Sequence, residues 1–445
     1  MGDTAQPQRR WFHPTPDRLI SALLVMEGVL LLSDRLRCPP FNQYKGLAVV
    51  IAVASVGAAM LVMLAWLAGS LLFRWRFQFR LRSLFVLTVA VALVCSWLSV
   101  EMKNASRQEA IVAAIQKAGG WTLTDDEEHM MRNHASPNPT GPAWLQEVRD
   151  NAFFRDITHV VFFLDPSANS ASLEHLKGLP HLETLGLGHS QIGDAALEHV
   201  EGLTQIQRLC LYGERITDAG VEHIKALTQL KELDLTYTRV TDAGLKHLEG
   251  LTELQRLTLD NTPITGVGLE HLKGLTELRR LTLDNTRATG VGLEHLKGLP
   301  HLHVLSLVDT PISDAGLEHI KELTQLQYLN LSVARRWPAD GGTPLTDAGL
   351  EHVKGLTQLR GLRLRGAHIR DAALVYLKGL PRLEELDLEG TWVTDDGWKH
   401  LKGLAQLQHL VLSAPNVTVA GVKQYKHALP NCRITYCDFL KSTDF

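Results

Sequence analysis

Nine histidines, His175, His199, His223, His247, His271, His295, His319, His352 and His400, stand at one position of a pattern that recurs along the chain. Imidazole is the commonest transition-metal ligand, so such a row raises the idea of a metal-binding or metal-sensing ridge. Spacing argues against it. Each histidine lies in a segment with helical periodicity, and packed helices sit about 8–10 Å apart. Rings that share one ion need their nitrogens about 2.0–2.1 Å from it. The row therefore reads as one local packing solution written many times, and no metal is expected. The acidic run Asp125-Asp126-Glu127-Glu128-His129, with His134 beyond it, lacks the HExxH spacing and reads as a solvated segment. The sequence contains no glycine-rich phosphate loop, no GxSxG and no paired-cysteine zinc motif. No catalytic residue, cofactor or small-molecule substrate is expected. A net charge of −3 over 445 residues gives no global basic field for nucleic acid.

The element that positions these histidines is a block of 24 residues with the seed Leu-x-x-Leu-x-Leu. It starts at Leu182, Ile206, Leu230, Leu254, Leu278, Leu302, Leu326, Leu359, Leu383 and Leu407. In the first copy Leu185 and Leu187 alternate with small neighbours, as a half-buried strand requires. Leu197, Val200 and Leu203 step by three, as one face of a helix requires. Between them lie turns such as Thr217-Asp218-Ala219-Gly220, in which Thr caps a helix and Asp suits its first turn. One copy cannot bury its own apolar face, so the copies must stack and the stack must be capped. At the N-terminal end Val161 and Phe163 fall in register as a degenerate strand, preceded by a capping helix at Pro142-Ala143-Trp144-Leu145. At the other end Ile434 and Tyr436 keep the register.

This pattern resembles the leucine-rich repeat family over residues 155–437. The family's usual Asn after the strand is replaced by Thr238, Thr262, Thr286, Thr310 and Thr391, whose hydroxyls can bond backbone in its place. The resemblance implies an α/β leucine-rich repeat solenoid: a horseshoe with a parallel sheet on the concave face and helices on the convex face. It also implies that the concave face binds another macromolecule.

The composition changes before residue 104. Residues 46–73 and 83–100 carry no charge, and each is long enough to span a bilayer. Residues 19–33 form a weaker candidate that holds Glu27. The loop Arg74-Trp75-Arg76-Phe77-Gln78-Phe79-Arg80-Leu81-Arg82 is a positive-inside signal. It places the chain after Val100 on the exoplasmic or periplasmic side. The expected layout is a membrane domain of two or three helices over 1–104, a juxtamembrane helix and connector over 105–141, and the repeat domain over 142–445. In the connector, a helix from Glu101 to Ala118 is stopped by Gly119-Gly120. The layout resembles bacterial membrane-anchored leucine-rich repeat proteins of unassigned activity, through the run RFQFRLRSLFVLTVAVALVCSWLSVEMK.

Side chains flanking the strand leucines face outward, so candidate binding residues can be read coil by coil. They are Arg208 and Tyr212; Arg256 and Asp260; Arg280 and Asp284; Tyr328; and Arg363 and Arg365, the last two beside Asp387 and Glu389 in cross-strand ion-pairing range. Cys210 lies between the inward-facing Leu209 and Leu211, so it faces out with the candidate binding residues. The coil starting at Leu326 carries nine extra residues around Ala334-Arg335-Arg336-Trp337, which should overhang the rim either as a binding loop or as a tolerated insertion whose Trp337 packs back on the rim. Arg335, Arg336 and Trp337 join the candidates. Cys432 and Cys437 read either as a disulfide or as two small cap residues. The expected function is non-catalytic binding of a protein partner, with a cell-envelope glycan as the other ligand class. A structural envelope scaffold or adhesion spacer is the alternative reading, and a metal-sensing accessory domain a further one.

Overall fold

The computed structural model describes residues 81–124, 157–163, 173–188, 192–333, 345–413, 416–438 and 441–442. The chain divides into two units, residues 1–110 with 130–156, and residues 111–129 with 157–445. In the first unit the described part belongs to helix α1 (Leu81–Lys117), which continues into the second. The 83–100 run lies within α1. Among the described residues no helix is long and apolar enough to cross a membrane, and the 19–33 and 46–73 runs lie outside them. The capping helix expected at 142–145 lies outside them too.

The second unit is a stack of coils joined by one sheet of fourteen strands in sequence order. The first four strands are β1 (Trp121–Leu123), β2 (His159–Phe163), β3 (Thr184–Gly188) and β4 (Arg208–Tyr212). Strands β5 (Glu232–Asp234), β6 (Arg256–Thr258), β7 (Arg280–Thr282), β8 (Val304–Ser306) and β9 (Tyr328–Asn330) follow. Strands β10 (Gly361–Arg363), β11 (Glu385–Asp387), β12 (His409–Ser413), β13 (Arg433–Asp438) and β14 (Lys441–Ser442) complete the sheet. All neighbours pair parallel from β2 to β13. A short antiparallel strand closes each end, β1 on β2 and β14 on β13. An open edge would present unpaired N–H and C=O groups to other chains, and these short strands blunt both edges.

The repeat leucines form a single buried core that runs through the stack, with Ile111 and Ile115 of α1 at one end and Ile434 and Tyr436 at the other. Ile434 and Tyr436 pair with Leu410 and Leu412, as the sequence predicts. The N-terminal strand differs from expectation by one residue. Val160 and Phe162, not Val161 and Phe163, pair with Leu185 and Leu187, and both are fully buried. The first connection is one residue longer than the 24-residue period, and a shift of one residue exchanges the two faces of a strand. The segment read as a polar connector also begins with a strand, β1. Gly119, with φ of +74°, ends α1 in the left-handed conformation that glycine adopts freely. At Gly120 a side chain would collide with Phe162 and Ile115, so the chain turns tightly onto the core there.

The helical half of each coil is short. It alternates between α turns such as Asp242–Leu245 and 3-10 segments such as Gly290–Gly298. Thr217, Thr241, Thr346, Thr394 and Thr418 cap these turns through their hydroxyls. The buried hydroxyls of Thr238, Thr262, Thr286, Thr310 and Thr391 each donate to the carbonyl three residues back, at 2.6–2.7 Å. That is the backbone role assigned to them from sequence.

The aspartate beside each cap does more than suit a helix terminus. Asp242 accepts from the backbone N–H of Thr265 at 2.8 Å and from its hydroxyl at 2.5 Å, one coil on. Asp194, Asp218, Asp314, Asp371 and Asp395 make the same pair of bonds to Thr217, Thr241, Thr346, Thr394 and Thr418. The Thr-Asp pair is therefore a staple between coils. It is missing where Gly266 and Gly290 replace the aspartate.

Candidate recognition surface

Three columns of side chains stand on the open side of the sheet, at the positions before, between and after the strand leucines. The register of β4 to β8 puts Arg208, Glu232, Arg256, Arg280 and Val304 in one column. Cys210, Asp234, Thr258, Thr282 and Ser306 form the next. A third column follows the strands: Tyr212, Thr236, Asp260, Asp284 and Val308. The backbone then turns to positive φ at Tyr237, Asn261, Asn285 and Asp309. This turn keeps the ladder going, because Tyr237 N–H donates to the Asp260 carbonyl and Asn261 N–H to that of Asp284. Asn and Asp tolerate the left-handed region, but a bulky side chain there is an outlier. Tyr237 is held at φ of +59°, 44% exposed, with its ring 5.1 Å from that of Tyr212.

The candidate residues fare differently. Arg208 is engaged within the fold: its Nη2 donates to His159 Nε2 at 2.6 Å and its Nε to Thr184 Oγ1 at 2.9 Å. His159 is buried and its Nδ1 meets the Thr158 hydroxyl, so this set fastens β2 to β4. Arg208 is thus a clamp of the N-terminal cap rather than an available contact. Arg256 pairs loosely with Glu232 at 3.5 Å, and Arg280 is exposed with no carboxylate within 4 Å among the described residues. Asp260 Oδ1 accepts from Asp284 N–H, and Asp284 Oδ1 accepts from Val308 N–H, both at 2.9 Å. Tyr328, 40% exposed, lies across Gly361, where any side chain would collide with its ring. The expected cross-strand pairing holds for Arg365, which meets Glu389 at 2.9 Å. It does not hold for Arg363, because Asp387 turns to accept the N–H of Glu389 instead. Arg335, Arg336 and Trp337 lie outside the described residues. Cys210 is half-buried on the sheet face beside Asp234 Oδ2 at 3.8 Å. Burial, reinforced by Asp234, pushes its thiol up to about 12. No disulfide joins the described cysteines; Cys432 is buried, and burial pushes its thiol up to about 11.

Asp260 carries a consequence for pH. Burial first, then the Asp284 carboxylate, pushes its carboxyl up to about 6 from an ordinary 3.8, against the bond from the Asp284 N–H. A raised carboxyl binds its proton more tightly folded than unfolded, so this group adds stability as pH falls from about 6 to about 4. Asp260→Asn keeps the acceptor and removes the charge. It should raise stability above pH 7 by about 1 kcal/mol, discounted because the site is partly solvated. It should also abolish the gain on acidification in melts recorded between pH 7 and pH 4. A variant whose acid profile matches the parent's would show that Asp260 is not the source.

On the helical face the histidines lie beside glutamates, with His271 Nδ1 at 2.6 Å from Glu249 and His223 Nδ1 at 3.8 Å from Glu201. Among the described residues no group of three or more His, Cys, Asp or Glu is placed to hold a metal ion. Sequence reasoning missed a cluster formed between the coils that start at Leu359 and Leu383. His368 stacks on Trp392 at 4.3 Å, and the Arg370 guanidinium sits 4.7 Å from the Trp392 ring. The signal was present as a departure from the repeat, since Arg370 stands where other coils place the capping Thr or Ser.

The family model described as Leucine Rich repeat matches residues 226–248 and 298–321. No curated protein matches the chain by sequence. Among solved structures, the internalin inlF of Listeria monocytogenes is similar at 22% identity, covering 65% of this chain and 92% of that one, with a TM-score of 0.43. A leucine-rich repeat protein of Leptospira interrogans is similar at 17% identity, covering 59% and 74%, with a TM-score of 0.41. The ectodomain of the plant membrane receptor kinase GASSHO1/SCHENGEN3 of Arabidopsis thaliana, in complex with CASPARIAN STRIP INTEGRITY FACTOR 2, is similar at 19% identity, covering 60% and 34%, with a TM-score of 0.39. Copies of one leucine-seeded coil hydrogen-bonded in register into a single sheet, and two stretches matched by the family's own model, support the leucine-rich repeat assignment read from the sequence.

Proposed function

We propose that this is a membrane-anchored, non-catalytic recognition protein that binds a protein partner on the sheet face of its repeat domain. The observation that carries the reading is the exposure of aromatic and arginine side chains on the sheet face, beside ion pairs such as Arg365–Glu389. On the helical face, charges are matched locally, as in the pairs Glu222–Lys225, Glu318–Lys321 and Glu351–Lys354 at 2.7–3.0 Å. On the sheet face Tyr237 and Tyr328 stand exposed, and among the described residues Arg280 has no acidic partner. Aromatic and arginine side chains are the usual anchors of protein interfaces. The anchoring part of the reading rests on the sequence alone: the uncharged runs 46–73 and 83–100 are each of spanning length, and the Arg-rich loop between them, taken as cytoplasmic, favours exoplasmic repeats. Proximity labelling with a membrane-impermeant probe, from an enzyme fused after Phe445 in intact cells, tests both parts. Enrichment of a small set of envelope or surface proteins is expected. Labelling confined to cytoplasmic proteins would overturn the topology. An absence of enriched neighbours would favour a plain envelope spacer.

A further inference from the structure

Resting on that reading, we infer that the occupant of the sheet face is an α-helical segment of a partner protein that lies along the stack of coils, with acidic residues on one flank and basic residues on the other. Two like-charge juxtapositions of opposite sign carry this. Arg256 and Arg280 are directly opposed in register on β6 and β7. Four positions further along each of the same two coils, Asp260 and Asp284 stand next to one another, linked only through the Asp284 N–H. Like charges opposed across strands are destabilising in a free sheet. The protein keeps one such pair at each side of the same two coils and leaves Arg280 without a counter-charge among the described residues. A ligand bearing the complementary charges would relieve both.

The dimensions select a helix. Four residues, the strand and the extended chain that follows it, separate the two pairs by roughly 13 Å. An α-helix is about 10–12 Å across, so its flanks reach both rows at once. Adjacent coils are about 4.8 Å apart, and a helix rises about 1.5 Å per residue. Roughly three helical residues therefore span one coil, so acids at i and i+3 would face Arg256 and Arg280 while bases on the other flank face Asp260 and Asp284. The exposed Tyr237 and Tyr328 stand on coils to either side, placed to pack against such a segment along its length.

The test uses the full chain in its native cells, with a benzophenone amino acid at Tyr328, and maps the adduct peptide by mass spectrometry. An adduct on a helical segment with acids on one flank and bases on the other is expected. It should fall at least tenfold in Arg280→Glu combined with Asp284→Lys, and clearly in the milder Arg280→Gln with Asp284→Asn. Arg280→Glu alone restores alternation with Glu232 and Arg256, so its melting midpoint should rise or hold while adduct yield falls; this separates lost recognition from lost folding. An adduct indifferent to these changes, or on a segment without the two charged flanks, would overturn this inference and leave sheet-face recognition standing. A lack of any adduct would sink both.

Discussion

Gly292→Ala is expected to destabilise the middle of the solenoid by about 3 kcal/mol, because backbone cannot move aside as a side chain can. A methyl group there would overlap the Gly266 carbonyl oxygen and lie 2.5 Å from the Gly266 Cα. These coils also lack the aspartate staple, since Gly266 and Gly290 stand in its place. Their helical halves are 3-10 segments, Val267–Leu272 and Gly290–Gly298, in which the chain is wound more tightly than in an α turn. Bare backbone thus replaces a carboxylate bridge as the contact between coils. Amide exchange resolves the effect locally: the strand amides of Leu257, Leu281 and Leu305 should exchange roughly 100-fold faster. Gly274→Ala, with nothing within 4 Å of the new methyl, should shift stability by less than about 0.5 kcal/mol. Equal effects at the two glycines would refute the close-approach account.

The second large effect belongs to the staple. Asp242→Ala removes both acceptors of Thr265 and leaves a part-buried N–H without a partner. The expected cost is about 2 kcal/mol. Asp242→Asn should cost about half as much, because its carbonyl oxygen still accepts from the Thr265 N–H while its amide cannot accept the hydroxyl. Adding Thr265→Ala to Asp242→Ala should cost little more, since the two residues act as a unit. Additive losses in that double-variant cycle would mean that the carboxylate and the Thr265 hydroxyl act separately.

Much of the fold was legible because it repeats. The leucine seeds, the capping threonines and the buried Thr238-type hydroxyls recur in register, and each solves a local problem that the sequence states directly. What was not legible depends on neighbours the period does not fix. The register of β2 follows from a first connection one residue longer than the 24-residue period, which that ruler misplaces. The staple looked like ordinary helix capping, because a carboxylate at a helix start is favourable there whether or not it reaches the next coil. Arg208 had the same sequence environment as Arg256 and Arg280, yet the irregular cap supplies His159 and takes it out of the surface. Tyr237 occupies a position that neighbouring coils give to Asn, Asp or Gly, and only the backbone shows that the site is left-handed. Arg370 and Trp392 were visible as departures from consensus, but their stack with His368 forms across two coils and needs the structure to be seen.

The central claim is that recognition belongs to the sheet face. Its most direct measurement compares proximity-labelled neighbours of three full-length proteins in intact cells. These are the parent, a sheet-face variant combining Arg280→Glu, Asp284→Lys and Tyr328→Ala, and a helical-face variant combining Lys297→Glu, Lys321→Glu and Lys354→Glu. Melting curves should first show that both variants are folded. The account predicts that the sheet-face variant loses the enriched partner while the helical-face variant retains it. Retention by the sheet-face variant, with loss from the helical-face variant, would contradict it.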